Sequence, residues 1–329
     1  YNNKYSSKLD LQVTHTKNSL GFRGDPVPAN FEEMLTILTV GGSTTESTYL
    51  SDLKTWPAHL ERLLGQSFRN LWINNAGFDG HSTFGHQILL EDHIAKFPPD
   101  IIIYFVGLND MGREENNLNN ADRDIVTGLS FNSVKIFLKS TANYSKLSAL
   151  ILNARRAWIA RDMGLSHGDL DLESYGVLTL SDAEIELALE KHRTRFIPSY
   201  VTRLRGLMET TLELGIEPIL VTQPAVAGDI VDPTTGVDIS SIKLSDGVNG
   251  ASWGQVIRGY NQATLAVAAD MNLLAIDMAS LLPVDTAYYY DLTHFGNLGA
   301  KTFGGLMAGE LCPWLAEYFA EHVQQECIG

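Results

Sequence analysis

Five residues in this 329-residue chain combine the type and the position along the sequence that acyl transfer requires: Ser43, Gly80, Asn109, Asp291 and His294. The reaction needs a nucleophile, a base that takes its proton, a group that orients the base, and donors for the developing oxyanion. Ser43 can attack, His294 can accept its proton and later return it to the leaving group, and Asp291 can orient the imidazole through Nδ1. The backbone N–H groups of Ser43 and Gly80, with the Asn109 side-chain amide, can form an oxyanion hole.

Ser43 follows an unbroken apolar, β-branched run at residues 35–40 (LTILTV), a pattern typical of a strand buried on both faces of a parallel sheet. Gly41 and Gly42 let the backbone turn sharply and leave the serine hydroxyl uncrowded. A polar stretch able to begin a helix comes next. Ser43 is therefore expected at the edge of the sheet where ligands bind, beside the free N–H groups of a helix start.

The same segment has other interpretations. Ser43 and Glu46 fit a capping box, S-x-x-E, in which the serine only caps a helix. The glycine-rich loop could hold a phosphate, although neither G-x-x-x-x-G-K-[ST] nor G-x-G-x-x-G occurs. Thr45 stands where a G-x-S-x-G elbow needs its second glycine. The segment alone leaves a nucleophile and a helix cap as equal alternatives.

Composition limits the partners and the fold. With 24 Lys+Arg against 39 Asp+Glu, the net charge of −15 argues against nucleic acid as a partner. At 44% hydrophobic residues, the chain can bury a large core, and no apolar run reaches the length of a membrane span. Because the chain begins with Tyr1 rather than Met, we expect that an upstream signal or anchor was removed and that the location is extracytoplasmic, periplasmic or secreted.

The two cysteines, Cys312 and Cys327, flank a helical-looking stretch. A continuous helix would hold them roughly 20 Å apart at 1.5 Å per residue. A disulfide between them would need the tail to fold back, so the sequence does not decide whether they are free.

Apolar runs and turn signals predict an extended N-terminal arm over residues 1–34 and one α/β domain over 35–329. The predicted strands alternate with helices and lie at residues 35–40, 71–75, 101–106, 217–222 and 273–277. Helices are expected from Trp56 to Leu64, then over residues 83–96, 254–271 and 296–320. Five such strands imply a three-layer α/β/α fold with a parallel sheet.

A helical insertion interrupts this alternation at residues 111–215, with helices over 132–162 and 181–214. The second opens with Ser181 and Glu184 as a capping box. Residues 131–161 carry six Lys and Arg and no acidic residue, within an acidic protein. They could form a cap whose cations face the acidic body, or a lid that contacts an anionic substrate or a membrane surface.

The polar candidates each follow a predicted strand: Ser43 the first, Gly80 the second, Asn109 the third, and Asp291 and His294 the fifth. In a flavodoxin-like order, 2-1-3-4-5, the first three strands are neighbours, so their loops converge at the switch point. Each residue also has a plainer interpretation, since Asn109 with Asp110 could form a turn, and Asp291 with His294 could begin a helix.

Four segments, in order, resemble the motifs of the SGNH hydrolase superfamily, the GDSL-like esterases and lipases: Gly42-Ser43, residues 75–80 (NAGFDG), residues 107–110 (GLND) and residues 291–294 (DLTH). The resemblance covers about residues 40–310. It implies the 2-1-3-4-5 fold, ester hydrolysis without a metal or other cofactor, and the roles assigned above.

Two departures from the family pattern stand out. Gly42-Ser43-Thr44 replaces the Asp-Ser-Leu of the family's name. The second segment has two glycines, and Gly80 is preferred because the family's oxyanion glycine lies some five residues past the Asn that ends the strand. Gly77 would then serve the turn.

Other side chains offer rival or additional roles. Asp277 is an alternative carboxylate for orienting His294. The histidines at 81, 86 and 93, near Glu91 and Asp92, could suggest a metal site, but a solvated helix face explains them and the chemistry needs no metal. Gln223, Trp253 and Tyr290 are expected in loops at the catalytic edge, where they could contact a sugar ring or an acyl chain.

The sequence therefore predicts a serine esterase that forms an acyl-enzyme on Ser43. We expect a small-molecule or carbohydrate ester as substrate, with short acyl groups such as O-acetyl on carbohydrate. A lipid esterase or lipase, an O-acyltransferase and a non-catalytic ligand-binding domain are the alternatives.

Overall fold

The computed structural model describes residues 6–114 and 170–327. Five parallel strands form the central sheet: β1 Leu35–Gly41, β2 Leu71–Asn75, β3 Ile101–Phe105, β4 Glu217–Val221 and β5 Ala275–Ile276. Their spatial order is β2-β1-β3-β4-β5, which confirms the predicted flavodoxin-like arrangement. A separate antiparallel pair, Lys243–Ser245 with Val248–Asn249, lies outside this sheet.

The central position of β1 explains its continuous apolar sequence. Its Ile37 pairs with Ile73 of β2 on one side and with Ile101 of β3 on the other. All seven β1 residues are buried, with Ile37 packed into one core cluster and Leu38 and Val40 into the other. Both faces are covered, so the strand is mainly apolar, and the hydroxyls of its two threonines, Thr36 and Thr39, are hydrogen-bonded to Asp100 Oδ2 and the Asn74 carbonyl.

Helices cover both faces and make the three-layer fold. Their bounds are α1 Ser43–Glu46, α2 Trp56–Leu64, α3 Thr83–Asp92, α4 Asp182–Lys191, α5 Ile197–Glu213, α6 Gly250–Met271, α7 Met278–Leu281 and α8 Asn297–Tyr318. Residues of α2 and α8 pack in one core cluster, and residues of α3, α5 and α6 pack in the other.

Short 3₁₀ turns connect these elements, at Phe31–Glu33, Asp52–Lys54, Ile94–Lys96, Leu108–Asp110, Leu172–Ser174, Ile239–Ser241, Thr286–Tyr288 and Ala320–His322. The predicted capping box at the start of α4 is confirmed, since Ser181 and Glu184 each bond to the other's backbone N–H. A π-helical turn, His192–Phe196, joins α4 to α5. The basic stretch 131–161 and the helix predicted over 132–162 lie outside the described residues.

Trp253 lies in the first turn of α6, so its expected place in a loop is wrong. The helix begins at Gly250, four residues before the predicted start, because Asn249 caps it. The Asn249 side chain accepts a hydrogen bond from Ser252 N–H at 2.9 Å, and the Ser252 hydroxyl accepts one from Asn249 N–H at 3.1 Å. Serine replaces the usual Glu or Gln at the fourth position of this capping box. The sequence pattern that marks the start of a helix was therefore not recognisable.

Cys312 and Cys327 form a disulfide with their Cα atoms 5.8 Å apart, so the separation expected from one continuous helix is wrong. The helix α8 ends at Tyr318, and a 3₁₀ turn reverses the chain. The returning tail pairs with the segment after α2, where Gln324 N–H donates to the Ser67 carbonyl at 2.9 Å. This return brings the second cysteine back to the helix.

The described part of the N-terminal segment, from residue 6, contacts the loops at the carboxyl edge of the sheet. Arg23 is 3% exposed and donates to the carbonyl oxygens of Glu46, Ser47 and Leu50 at 2.7–2.8 Å. The Lys8 ammonium donates to the Tyr289 carbonyl at 2.9 Å. Among the described helices, none is long and apolar enough to cross a membrane.

Candidate active site

Ser43 is the first residue of α1, directly after the turn that follows β1. Its Oγ lies 2.7 Å from Nε2 of His294. The helix cap is Gly42, which makes no side-chain cap bond, and the Glu46 carboxylate accepts the Asp79 N–H at 2.6 Å instead. The capping-box interpretation of Ser43 is therefore wrong, and the hydroxyl is left to pair with the imidazole.

Asp291 holds the other side of the His294 ring. Its carboxylate oxygens lie 2.7 and 2.9 Å from Nδ1, and one of them also accepts the backbone N–H of His294 at 2.8 Å. A carboxylate can only accept, so Nδ1 donates to it and Nε2 is left to accept from the Ser43 hydroxyl. This is the tautomer a general base needs.

The His294 side chain is 6% exposed. Burial opposes the charged imidazolium, but the charge and the hydrogen bond of Asp291, with a smaller contribution from Asp79, outweigh it and raise the pKa of His294 above 6.5. The paired carboxylate thus stabilises the proton that the ring would receive.

Tyr290 supports the imidazole from one face. Its ring stacks on the His294 ring with centroids 5.6 Å apart and an interplanar angle of 16°. Its N–H donates to the His294 carbonyl at 2.9 Å. Tyr290 is only 3% exposed, and its ring also packs edge-on against Tyr49, with centroids 6.1 Å apart.

Asn109 lies in the 3₁₀ turn Leu108–Asp110 that follows β3, and it lines a cavity of about 10 Å³ together with Gly42 and Ser43. Its Nδ2 donates to the His81 carbonyl at 2.9 Å. An amide nitrogen carries two hydrogens, so one remains for a ligand. The His81 contact fixes the amide beside the serine.

The two candidate glycines differ in their backbone N–H groups. Gly77 N–H donates to Asn75 Oδ1 at 2.9 Å. Among the described residues none accepts a hydrogen bond from the N–H of Gly80, or from that of Ser43 at the helix start. Gly80 has φ +75°, a conformation that favours glycine. The N–H of Gly80 therefore remains available to a ligand, and that of Gly77 does not.

A buried ion pair lies next to Asn109 in the chain. Asp110 and Arg203 have side chains 0% and 4% exposed and are joined at 3.0 Å. Asp110 also accepts from the N–H and hydroxyl of Thr83, the first residue of α3, at 2.6–3.3 Å. The pair links the Asn109 turn to α3 and α5, and sequence reasoning missed it. The signal was Arg203 itself, a cation one residue before Leu204 on the apolar stripe of α5.

The structure gives other partners or surroundings to the residues that had been considered as alternatives. Asp277 accepts from the hydroxyls of Thr222 at 2.7 Å and Ser280 at 2.6 Å, so Asp291 and not Asp277 pairs with the histidine.

Within residues 6–114 and 170–327, no group of three or more His, Cys, Asp or Glu side chains is placed to hold a metal ion. His81 and His86 are buried, which makes the solvated helix face expected for them wrong. Burial lowers the pKa of His81 to about 4.

A larger cavity of about 420 Å³ lies between the exits of β4 and β5 and the helix α6. Gln223, which follows β4, lines this cavity and also the small one beside Ser43. Neither Trp253 nor Tyr290 lines either cavity. Of the three residues expected to contact substrate, Gln223 is the one that lines these two cavities.

Comparison with known proteins gives one family match, in which the GDSL-like lipase/acylhydrolase family matches residues 39–302. A search of curated protein sequences found no significant match.

Several solved structures are similar at a distance. An acetylxylan esterase from Geobacillus stearothermophilus shares 14% identity with a TM-score of 0.44, covering 89% of this chain and 96% of that one. A lipase/acylhydrolase from Enterococcus faecalis shares 14% identity with a TM-score of 0.46, covering 84% and 95%. These likenesses are too distant to carry an argument about substrate.

Proposed function

Because the chain belongs to the GDSL-like lipase/acylhydrolase family, whose members are hydrolases acting on esters, we propose that it is a serine esterase with Ser43 as its nucleophile. One observation carries the proposal: Ser43 Oγ lies 2.7 Å from His294 Nε2, and Asp291 binds the opposite nitrogen of the same ring at 2.7 Å. Nucleophile, base and orienting carboxylate form a continuous chain of hydrogen bonds.

In the first half-reaction, Ser43 Oγ attacks the ester carbonyl carbon while its proton moves to His294 Nε2. The tetrahedral intermediate collapses, the bond to the alcohol oxygen breaks, and His294 gives its proton to that oxygen. An acyl-enzyme on Ser43 and a free alcohol result. Water then attacks the acyl-enzyme, passes a proton to His294, and releases the carboxylic acid as Ser43 regains its hydrogen. No step calls for a metal or other cofactor.

The oxyanion formed in both halves needs hydrogen-bond donors that are already in place. The backbone N–H groups of Ser43 and Gly80 and the second amide hydrogen of Asn109 supply three. The absence of a described acceptor for either backbone N–H supports this role. Donors of this kind are typically worth about 10²–10³ in rate each.

A short acyl group is the proposed substrate feature. The cavity beside Ser43 is about 10 Å³, close to the minimum space for one water molecule. A space this small can take a group of about methyl size and has no room for a long chain, so an O-acetylated alcohol, with carbohydrate as the first choice, ranks above a lipid ester.

A p-nitrophenyl ester series from acetate to palmitate tests the proposal, with Ser43→Ala as the control. We expect acetate to be hydrolysed fastest, with the rate falling as the chain lengthens and lost in Ser43→Ala. Fastest hydrolysis of palmitate would contradict the short-acyl assignment, and hydrolysis of none would contradict the esterase. Adding a competing alcohol and analysing products separates hydrolysis from acyl transfer.

We also propose an extracytoplasmic location. The Cys312–Cys327 disulfide supports it, because disulfides persist mainly in oxidising compartments.

A further inference from the structure

Gln223 joins the two cavities described above. It is the one described residue that lines both the small cavity at Ser43 and the 420 Å³ cavity between β4, β5 and α6. A volume of 420 Å³ falls within the range of about 300–1,000 Å³ found for small-molecule sites. A group bound in the larger cavity would therefore contact Gln223, which also lines the cavity at Ser43.

The Gln223 backbone is held rigidly. Its N–H donates to Asn261 Oδ1 at 2.8 Å, and its carbonyl accepts from Asn261 Nδ2 at 2.9 Å. The oxygen and the nitrogen of the Asn261 side-chain amide thus fix the backbone of Gln223. The Gln223 side chain therefore extends from a fixed Cα position.

The side chain of Gln223, in contrast, is incompletely satisfied. The residue is 3% exposed, and its Oε1 is buried with no hydrogen-bond partner among the described residues. Burying a carbonyl oxygen without a partner is costly, so most such groups in native proteins have one. The terminal amide torsion of glutamine is soft, so a rotation can turn this acceptor toward a ligand that brings its own donor into a cavity that Gln223 lines.

The lining of the larger cavity is mixed. Six of its fourteen lining residues have polar side chains: Gln223, Arg258, Asn261, Gln262, Asp277 and Ser280. The other eight are apolar or glycine, so the cavity offers both kinds of surface. Such a lining suits a hydroxylated ring, whose C–H groups pack on apolar side chains while its hydroxyls pair with polar ones. Each hydroxyl both donates and accepts, so it can pair with either half of an amide.

We infer that the 420 Å³ cavity binds the alcohol part of the ester, a hydroxylated ring of sugar size, and that Gln223 Oε1 accepts a hydrogen bond from one of its hydroxyls. The inference rests on the proposed esterase function, because it assigns the alcohol side of that reaction. The acyl group then occupies the small cavity and the alcohol the large one. Gln223 is thereby a specificity-determining residue.

The test compares three acetate esters: a mono-O-acetylated methyl glucoside, cyclohexyl acetate, which has a ring without hydroxyls, and glycerol monoacetate. The readout is the ratio of kcat/KM for the glucoside to kcat/KM for cyclohexyl acetate. Gln223→Leu removes the acceptor, and we expect the ratio to fall about tenfold, the usual effect of one hydrogen bond. Gln255→Leu, the same change at an exposed position of α6 that lines neither cavity, should leave the ratio unchanged.

Gln223→Glu keeps an acceptor oxygen, so its ratio of kcat/KM for the glucoside to kcat/KM for cyclohexyl acetate should stay close to that of the wild type. This variant allows the test to be made if the leucine variant folds poorly. An unchanged ratio in Gln223→Leu, whether both esters keep their rates or lose them equally, would overturn the inference. A tenfold loss with glycerol monoacetate but none with the glucoside would overturn the sugar-sized assignment.

A binding arm separates this inference from the esterase proposal. Methyl glucoside, which has no ester, is added to the Ser43→Ala protein, and saturation-transfer NMR records contact. We expect a signal, and we expect the dissociation constant obtained by titrating it to rise about tenfold when Gln223→Leu is added. If no ester is hydrolysed but this signal appears and depends on Gln223, the esterase proposal fails and the cavity assignment stands. If esters are hydrolysed but no signal appears, the cavity assignment fails.

Discussion

A Cβ atom on Gly42 would lie 2.3 Å from Nδ2 of Asn109, so the closeness of these two residues leaves no room for a side chain. Gly42 has φ −86°, which any residue can adopt. Space, and not backbone conformation, therefore requires glycine here. The contact holds the Asn109 amide against the start of α1, where the oxyanion would form.

We predict that Gly42→Ala displaces the Asn109 amide and lowers kcat/KM for p-nitrophenyl acetate by about 10²–10³, the effect of losing one oxyanion donor. Gly305→Ala is the matched control, because a Cβ there meets no atom within 4 Å and the residue lies inside α8. Steady-state kinetics of the two variants decide the matter. Equal activity of both would show that the contact has no catalytic consequence.

The raised pKa of His294 predicts the pH dependence. The base acts when neutral, so kcat/KM should rise with pH through an apparent pKa above 6.5. In Asp291→Asn the favourable charge is gone and burial of the ring remains, so this limb should move to lower pH. The rate should also fall, by about 10⁴-fold where the amide favours the wrong imidazole tautomer. A wild-type profile already flat from pH 5 would contradict the account.

Much of this fold was predictable because its elements are encoded locally. The strands β1 and β3 are buried on both faces, so their apolar runs mark them without ambiguity. The positions of Ser43, Asn109 and His294 at one edge follow from the parallel sheet, since parallel strands all end at the same edge. The site therefore follows from topology, although 251 residues separate the serine and the histidine.

The features that sequence reasoning missed depend on distant partners. The helix α8 stops at Tyr318 and the tail returns to Cys312, a reversal with no glycine or proline to announce it. The roles of Arg23 and Arg203 are set by carbonyl and carboxylate groups far away in the chain. The local sequence shows that a cation is present at these positions, but it does not identify the distant group that the cation binds.

The buried pair of Asp110 and Arg203 should contribute strongly to stability. Removing one partner leaves an uncompensated charge in the interior, so Arg203→Met should lower the free energy of unfolding by about 3–5 kcal/mol. Arg205→Met is the control, since Arg205 also lies on α5 but pairs at the surface with Asp270 of α6, and surface pairs contribute about 0–1 kcal/mol. Urea unfolding of both variants provides the measurement, and similar losses would refute the distinction.

The disulfide should stabilise the fold by restricting the unfolded chain. Cys312 and Cys327 are 15 residues apart, a loop for which the expected contribution is about 3 kcal/mol. The Cys312→Ser, Cys327→Ser double variant should therefore unfold at lower urea concentration than the wild type, and adding reductant should produce the same shift in the wild type only. A double variant as stable as the wild type would argue against the predicted contribution.

The central claim is that Ser43 is a nucleophile activated by His294, and covalent labelling tests it most directly. The protein is treated with a p-nitrophenyl phosphonate, and its mass and peptide map are recorded. We predict one adduct, on Ser43, that is absent in Ser43→Ala and slowed at least a hundredfold in His294→Ala. An unlabelled protein, or an adduct that persists in Ser43→Ala, would contradict the account.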